Sequence, residues 1–481
     1  MGNISDKLQY LAETKEAIKE AIKAKGVEVA EADTFRSYAD RVSNIAVAVD
    51  SNAPVKLYGY DGTLLHSYSA EAFQLLEDLP ELPTHAGLIA NGWNFDIDYM
   101  KNTLYRYGFA ASGALYVTDD NTTRLYVNTD EDGQGFALEI NATGNVVVDW
   151  GDETPSETGT GTLNLQHSFE HAGNYIVRIS GDDSYSIKAP PYGAAWFEPL
   201  PGIGIEVQGA PYDYSLNRIE TSQQCTYVRV YCAGGLSTIS AHSNCNVYLF
   251  SCPAIKAVVA ASCSCNMCSS VDVILSRLSS ASYCPRLEDI ISYDMKYSVK
   301  FDNCSSLKRI AGQGRSAGAN EYKYFTNNYA LEYLRIDGSN AIGGSAFENC
   351  HSLRTIHGFT KIKSLGERAF HNCWNLSMDI VLDTSITEIP DAFRGCHSLK
   401  KIKALGNIER VDSYALADCK NLEVLDFSAN RLVAHVGKLS DYWSPTHVAI
   451  IVPDSLYDEW IVAANWSTYA SQIVKASEYN G

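Results

Sequence analysis

No run in this chain of 481 residues approaches the roughly 18 consecutive apolar residues that a membrane-spanning helix requires, so a helical membrane anchor is not expected within it. Basic residues are scarce: 38 Lys and Arg stand against 57 Asp and Glu, for a net charge of -19. No Lys/Arg cluster offers the footprint that phosphates require, which argues against a nucleic-acid partner. Cysteine is missing outside the segment Cys225–Cys419, which holds all 13. An odd number confined to one region makes a poor disulfide framework, and reduced, buried thiols acting as small hydrophobes are expected instead. The opening residues, Met1 to Lys25, are charged and lack the apolar stretch and small-residue cleavage site of a secretory leader. Export by the ordinary secretory route is therefore not expected; assembly inside a cell followed by lysis fits. Also absent are the G-x-S-x-G, H-E-x-x-H, phosphate-loop and dinucleotide signatures, so no enzymatic activity and no cofactor are expected.

What the sequence does contain is a 23-residue echo. Ala346-Phe347, Ala369-Phe370, Ala392-Phe393 and Ala415-Leu416 each precede a cysteine (Cys350, Cys373, Cys396, Cys419). Three residues after each cysteine stands a leucine: Leu353, Leu376, Leu399, Leu422. A fixed period of this length marks a solenoid. Each Cys is expected to point inward and satisfy neighbouring backbone groups where a larger side chain would not fit, while the Leu and Phe fill the core. A shorter template extends the series back through Cys232 (Leu236, Ile239), Cys252, Cys268, Cys284 and Cys304, with Asn328 in place of cysteine before Leu331. The series amounts to about ten coils, irregular at first and regular at the end.

With 46% hydrophobic residues the chain is ordinary globular material, and its length is too great for one core. A multidomain, mainly β fold is expected. Residues 1–50 read as a helical hairpin for attachment and oligomerisation. Its seam is Ile4, Leu8, Leu11, Ile18 and Ile22, interrupted by Lys15, and it packs either on itself or in a bundle among subunits. Residues 51–120 read as a small α+β module, with helices at Ser69–Leu76 and about Ile97–Tyr107. Residues 121–188 alternate as a small β-sandwich, and 189–215, rich in Pro and Gly, read as a linker. Residues 216–446 form the repeats, and 447–481 a cap with a strand at Val448–Pro453 and a helix around Leu456–Val474.

The A-F-x-x-C/N-x-x-L copies resemble the leucine-rich repeats of BspA-like bacterial surface antigens; residues 225–300 depart from that pattern, with short coils and no Ala-Phe. Val147-Val148-Asp149-Trp150-Gly151-Asp152 and His167-Ser168-Phe169-Glu170-His171-Ala172-Gly173-Asn174-Tyr175 are similar to a PKD-type immunoglobulin-like domain, with Glu153 where that family has glycine. In that motif His167, His171, Asp149 and Asp152 are structural. The module of residues 51–120 resembles the β-grasp-like repeats of internalin-type adhesins. Lys7-Leu8-x-Tyr10-Leu11 and Asp33-Thr34-Phe35-Arg36-Ser37-Tyr38 look like the opening of tail or fibre proteins of phages that infect gut bacteria.

Those resemblances imply a virion structural protein, a fibre or tail-associated adhesin. Its N-terminus would dock on other virion proteins, and its repeats would bind a glycan or protein of the host surface. A homotrimer is expected, since fibres commonly are. The alternative is a bacterial surface adhesin that binds host protein or glycan. For contact with a partner, Tyr283, Tyr293, Tyr297, Tyr322, Tyr324, Tyr329 and Tyr333 stand out, because amphipathic aromatics suit binding, although some must serve as core. Two metal readings compete with structural ones. Asn128-x-Asp130-x-Asp132-Gly133, with Glu139, has the spacing of a calcium loop, but both flanks read as strands. Cys263-x-Cys265-x-x-Cys268 could supply zinc thiolates or simply pack.

Overall fold

A computed structural model describes residues 14–16, 18–19, 49–189, 203–208, 216–294, 301–313, 325–335, 340–437 and 447–480. Of the expected N-terminal seam, Ile18 is helical and half-buried; Ile4, Leu8, Leu11 and Ile22 lie outside the described residues.

The module after residue 50 builds a four-stranded sheet with the order β2-β1-β4-β3. Its strands are β1 (Val55–Tyr58), β2 (Leu64–Tyr68), β3 (Leu88–Trp93) and β4 (Ala110–Thr118). Helix α1 (Ala70–Gln74) is capped by the Ser69 hydroxyl. Helix α2 (Ile97–Tyr107) starts at Asp96, whose side chain accepts from the Tyr99 amide, and stops at Gly108 in the left-handed conformation. Both ends follow the usual capping rules, and the helix lies where one was expected at about Ile97–Tyr107.

From there one sheet of sixteen strands runs on. The strands β5 (Thr123–Thr129), β6 (Gly135–Asp149), β7 (Glu157–Ser168), β8 (Gly173–Gly181) and β9 (Tyr185–Ala189) pair antiparallel, as the alternation predicts. Trp150 is buried here, stacked on His167 at 4.7 Å, and His167 Nε2 lies 2.6 Å from Asp152. Glu153 holds φ +69°, a conformation that costs a side-chain-bearing residue roughly 1–2 kcal/mol and explains why glycine suits this place.

The stretch expected as a linker is not wholly one: it contributes β10 (Ile203–Gln208). This strand pairs parallel with β9 on one side and with β12 (Cys225–Tyr231) on the other. Strand direction switches at this seam from the antiparallel strands β5–β9 to the parallel solenoid, and the ladder is unbroken. At the opposite edge β11 (Leu216–Glu220) joins β5, and β13 (Thr238–Ser240) joins β11. The solenoid strands continue as β14 (Asn246–Phe250), β15 (Ala257–Asn266), β16 (Val273–Ser282), β17 (Asp289–Asp294), β18 (Arg309–Gln313) and β19 (Tyr333–Arg335). The regular coils then carry short parallel strands at Thr355–His357, Ile380–Leu382, Lys401–Ala404 and Val424–Asp426. One hydrophobic core extends from Leu125 to Ile473.

The C-terminal segment differs from expectation. A strand does form at Ala449–Val452, but the helix is broken into short pieces, Asp454–Leu456, Tyr457–Trp460 and Ser467–Gln472, followed by a strand at Ile473–Lys475. Trp460 and Trp466 are fully buried against Phe427, at 5.5 and 5.9 Å, and close the end of the core. Packing of two large rings sets this path, and it overrides helical propensity.

The small module does not stand apart. A second core joins its Val55, Leu57, Phe109 and Leu115 to Ala257, Val259, Val273, Leu275, Ile291 and Ala311 on the outward face of β15–β18. Gly113 makes the approach possible: a Cβ there would lie 2.5 Å from Val259 Cγ2. Asn94 Nδ2 donates to the Leu275 carbonyl at 3.0 Å, and Arg335 donates to the Arg106 carbonyl at 3.2 Å. Residues such as Ala257-Val258-Val259-Ala260 are apolar on both faces because both faces are covered. The irregular coils depart from the repeat pattern for that reason.

Candidate binding surface

Each regular coil places the same side chains in columns. The thiols of Cys350, Cys373, Cys396 and Cys419 are buried and donate to the carbonyls of Phe325, Phe347, Phe370 and Phe393 in the coil before, at 3.1–3.2 Å. In the irregular coils the matching bonds from Cys252, Cys284 and Cys304 lengthen to 3.5–3.8 Å. Burial raises the pKa of the Cys350, Cys373, Cys396 and Cys419 thiols, that of Cys419 to about 12. Asn328 does more than replace a thiol. Its amide donates to the Phe301 and Phe325 carbonyls and accepts from the Cys304 amide. Phe301, Phe325, Phe347, Phe370 and Phe393 stack in sequence behind this column, with centroids 5.3–5.7 Å apart.

The residue before each inward position is left-handed: Ser251, Met267, Tyr283, Asn303, Asn327, Asn349, Asn372, Gly395 and Asp418 all have φ between +54° and +76°. Asn and Gly tolerate this conformation best, so the N-N-N-N-G series is a second signature of the coil. Asn327, Asn349 and Asn372 pass amide hydrogen bonds from coil to coil at 2.7–2.9 Å. Cys232 also has positive φ, at +58°, and is half-buried, whereas Ala233 is buried. The ladder position in that coil is therefore Ala233, not Cys232, and its spacing to Leu236 is then the same three residues as elsewhere.

The residue after each inward position faces solvent. There His351, Trp374 and His397 stack across three successive coils, and Tyr329 extends the row by one coil with its ring tilted 35° to that of His351. The His351 and Trp374 rings are 3.6 Å apart and within 5° of parallel; the flanking separations are 4.9 and 6.0 Å. Tyr329 is 43% and Trp374 42% exposed. Partial burial lowers the pKa of both imidazoles, aided at His397 by Lys420, so both are neutral near pH 7. His351, Trp374 and His397 did not stand out in the sequence, because the column changes residue type at each coil. The readable signal was an aromatic or imidazole ring directly after the repeat Cys or Asn.

Of the tyrosines singled out, Tyr329 belongs to this stack, and Tyr333 lies half-buried beside His357 at 5.1 Å. Tyr283 is exposed but stands in the left-handed column, away from the stack. Tyr293 lies on β17, of which the backbone alone is described; Tyr297, Tyr322 and Tyr324 fall outside the described residues.

Neither metal pattern is assembled. Glu139 pairs with Lys188 at 2.9 Å, and Asp132 accepts the Ala172 amide at 2.8 Å, in a turn between strands. Cys263 and Cys265 sit two apart on β15, facing the core with sulfurs 3.1 Å apart, and Cys268 is buried behind them. His242 spends both ring nitrogens on backbone partners. Among the described residues no three His, Cys, Asp or Glu side chains converge to hold a metal ion.

The family described as BspA type leucine rich repeat region matches in six copies, over residues 282–390 and 319–436. These coils are BspA-like leucine-rich repeats. Among solved structures, a leucine-rich repeat protein from Bacteroides ovatus is similar at 17% identity, with a TM-score of 0.30, over 52% of this chain. The match spans 63% of that protein, less than two thirds of its length. No curated protein matches the chain. The BspA-like match begins at residue 282, so the irregular coils before it continue the solenoid outside the family pattern. The PKD-like and phage-tail resemblances find no counterpart in these comparisons.

Proposed function

We propose that this protein is a non-enzymatic adhesin of a bacterial surface, binding a host protein or glycan through its BspA-like coils. One observation carries the reading: the repeats hold a solvent-facing stack, Tyr329–His351–Trp374–His397, and the scaffold does not need it for its core. Trp and Tyr are among the side chains that most often dominate binding energy, and Trp374 and Tyr329 are 42% and 43% exposed. The small module reinforces the choice of coils, because it covers the outward face of β15–β18 and, among the described residues, shares no hydrophobic core with the coils from Cys350 onward. PKD-like character of residues 121–188, attachment through residues 1–50 and trimer formation along Ile4, Leu8, Leu11, Ile18 and Ile22 belong to the same reading. They rest on sequence motifs. A virion location rests on the N-terminal segment in combination with the PKD-like and BspA-like parts and is the weaker placement.

The test is binding of the labelled full-length chain to immobilised host-cell surfaces and matrix proteins. Saturable binding, competed by unlabelled chain, supports the reading. Binding no greater than that of an unrelated acidic protein at every surface overturns it, and so would turnover of the bound material.

A further inference from the structure

The stack occupies one of two adjacent columns that run along the regular coils. The pairs are Ser305-Ser306, Tyr329-Ala330, His351-Ser352, Trp374-Asn375 and His397-Ser398. None of these side chains carries a fixed charge, in a chain where 20% of residues do. The column on one side is exposed and mostly charged, with Lys308, Glu332, Arg354, Ser377 and Lys400. On the other side stand Glu348 and Arg368, in contact with each other, and His371. An uncharged lane therefore runs between charged banks.

The chemistry of the lane is that of a hydroxyl-binding surface. Stacked rings cover one another's faces and leave their edges to solvent, and those edges carry the Tyr329 hydroxyl, the Trp374 N–H and the imidazole nitrogens. These groups have no protein partner among the described residues. Ser352, Asn375 and Ser398 add donors and acceptors beside each ring. An extended peptide would need free backbone groups to pair with. Here the amides of Ser352, Asn375, Ser398 and Asn421 are already bonded to the carbonyls of Tyr329, His351, Trp374 and His397, at 3.0–3.2 Å. An acidic ligand would need cations, which the lane lacks until Lys420 at its end.

Resting on the adhesin reading, we infer that the lane binds a neutral polysaccharide laid along the solenoid axis, about one sugar residue per coil. Its hydroxyls exchange hydrogen bonds with the ring edges and the Ser/Asn column. Its C–H surfaces pack on the exposed parts of Tyr329 and Trp374.

The experiment measures binding of the full-length chain to neutral glucan, mannan and galactan, to a polyuronate, and to an unfolded polypeptide, at low and high salt. The expected result is binding to a neutral polysaccharide that salt barely changes. Trp374→Ala should weaken it about tenfold or more, as truncation of a central anchor does, and His351→Ala less. Tyr105→Ala, on the exposed side of α2, should leave it unchanged, and unaltered melting of each variant guards against misfolding. Binding to the polyuronate alone with a steep salt dependence, binding to polypeptide alone, or neutral-glycan binding indifferent to Trp374→Ala overturns the inference. Each of those outcomes leaves the adhesin reading standing if cell-surface binding persists; loss of all surface binding overturns that reading itself.

Discussion

Replacing Asn328 tests the physics of the repeat most sharply, because this one side chain joins three buried backbone groups. Asn328→Ala removes a donor to Phe301 and Phe325 and the acceptor of the Cys304 amide. The Phe325 carbonyl keeps a partner, since the Cys350 thiol also donates to it at 3.1 Å. Two groups, the Cys304 N–H and the Phe301 C=O, are then orphaned inside the core. At roughly 1–3 kcal/mol for each buried unmade bond, the loss is about 3–4 kcal/mol. Asn328→Cys restores the consensus residue, whose thiol can reach the Phe301 carbonyl but cannot accept from Cys304, so about half the loss should remain. A solenoid is stabilised by nearest-neighbour contacts, so the damage should be local. Native-state hydrogen exchange read at the Cys304 amide should accelerate by roughly two orders of magnitude in Asn328→Ala, at tenfold per 1.4 kcal/mol. Equal exchange in wild type and Asn328→Ala would refute the bonding scheme. So would an Asn328→Cys chain as stable as wild type.

Three further outcomes follow from particular contacts. Gly113→Leu places carbon where Val259 and Leu275 already pack and should cost about 1–3 kcal/mol, read as faster hydrogen exchange on β15 and β16 together with the module; exchange confined to the module would mean the two are not packed together. Although burial raises it, the Asp152 carboxyl is held below the usual carboxylate range by hydrogen bonds from Thr154 and His167. A carboxyl depressed in the fold stabilises above its unfolded pKa and loses that contribution as pH falls through the folded value, so the protein should melt earlier below about pH 4, and Asp152→Asn should flatten that dependence. Thiol alkylation of the native chain should label Cys232 first, the one half-buried cysteine, while the buried remainder, including Cys350 and Cys419 with raised pKa, react after denaturation.

What was legible in the sequence was local or periodic. The helix expected at about Ile97–Tyr107 formed there, with its ends set locally by Asp96 and Gly108. The 23-residue echo gave the thiol column and the phenylalanine stack, because each coil meets neighbours that obey the same pattern. What escaped was set by distant contacts. The docking of residues 53–118 on β15–β18 has no sequence signal beyond apolar residues on both faces of a strand, which reads equally as a buried strand of any kind. The seam strand β10 was hidden in a Pro- and Gly-rich stretch. The offset at Cys232 arose because a cysteine took the left-handed place, normally held by Asn, and put Ala233 inside. The ring stack was hidden for another reason: stacking conserves ring geometry while the residue alternates among Tyr, His and Trp.

The adhesin reading stands on the regular coils as the contact surface, and hydroxyl-radical footprinting of the full-length chain tests that directly, with and without a surface that binds it saturably. Protection concentrated on Tyr329, His351, Trp374 and His397, with Tyr105 and Leu75 of the small module as reactive as before, is the predicted result. Protection of Tyr105 and Leu75 with the stack left fully reactive would contradict it.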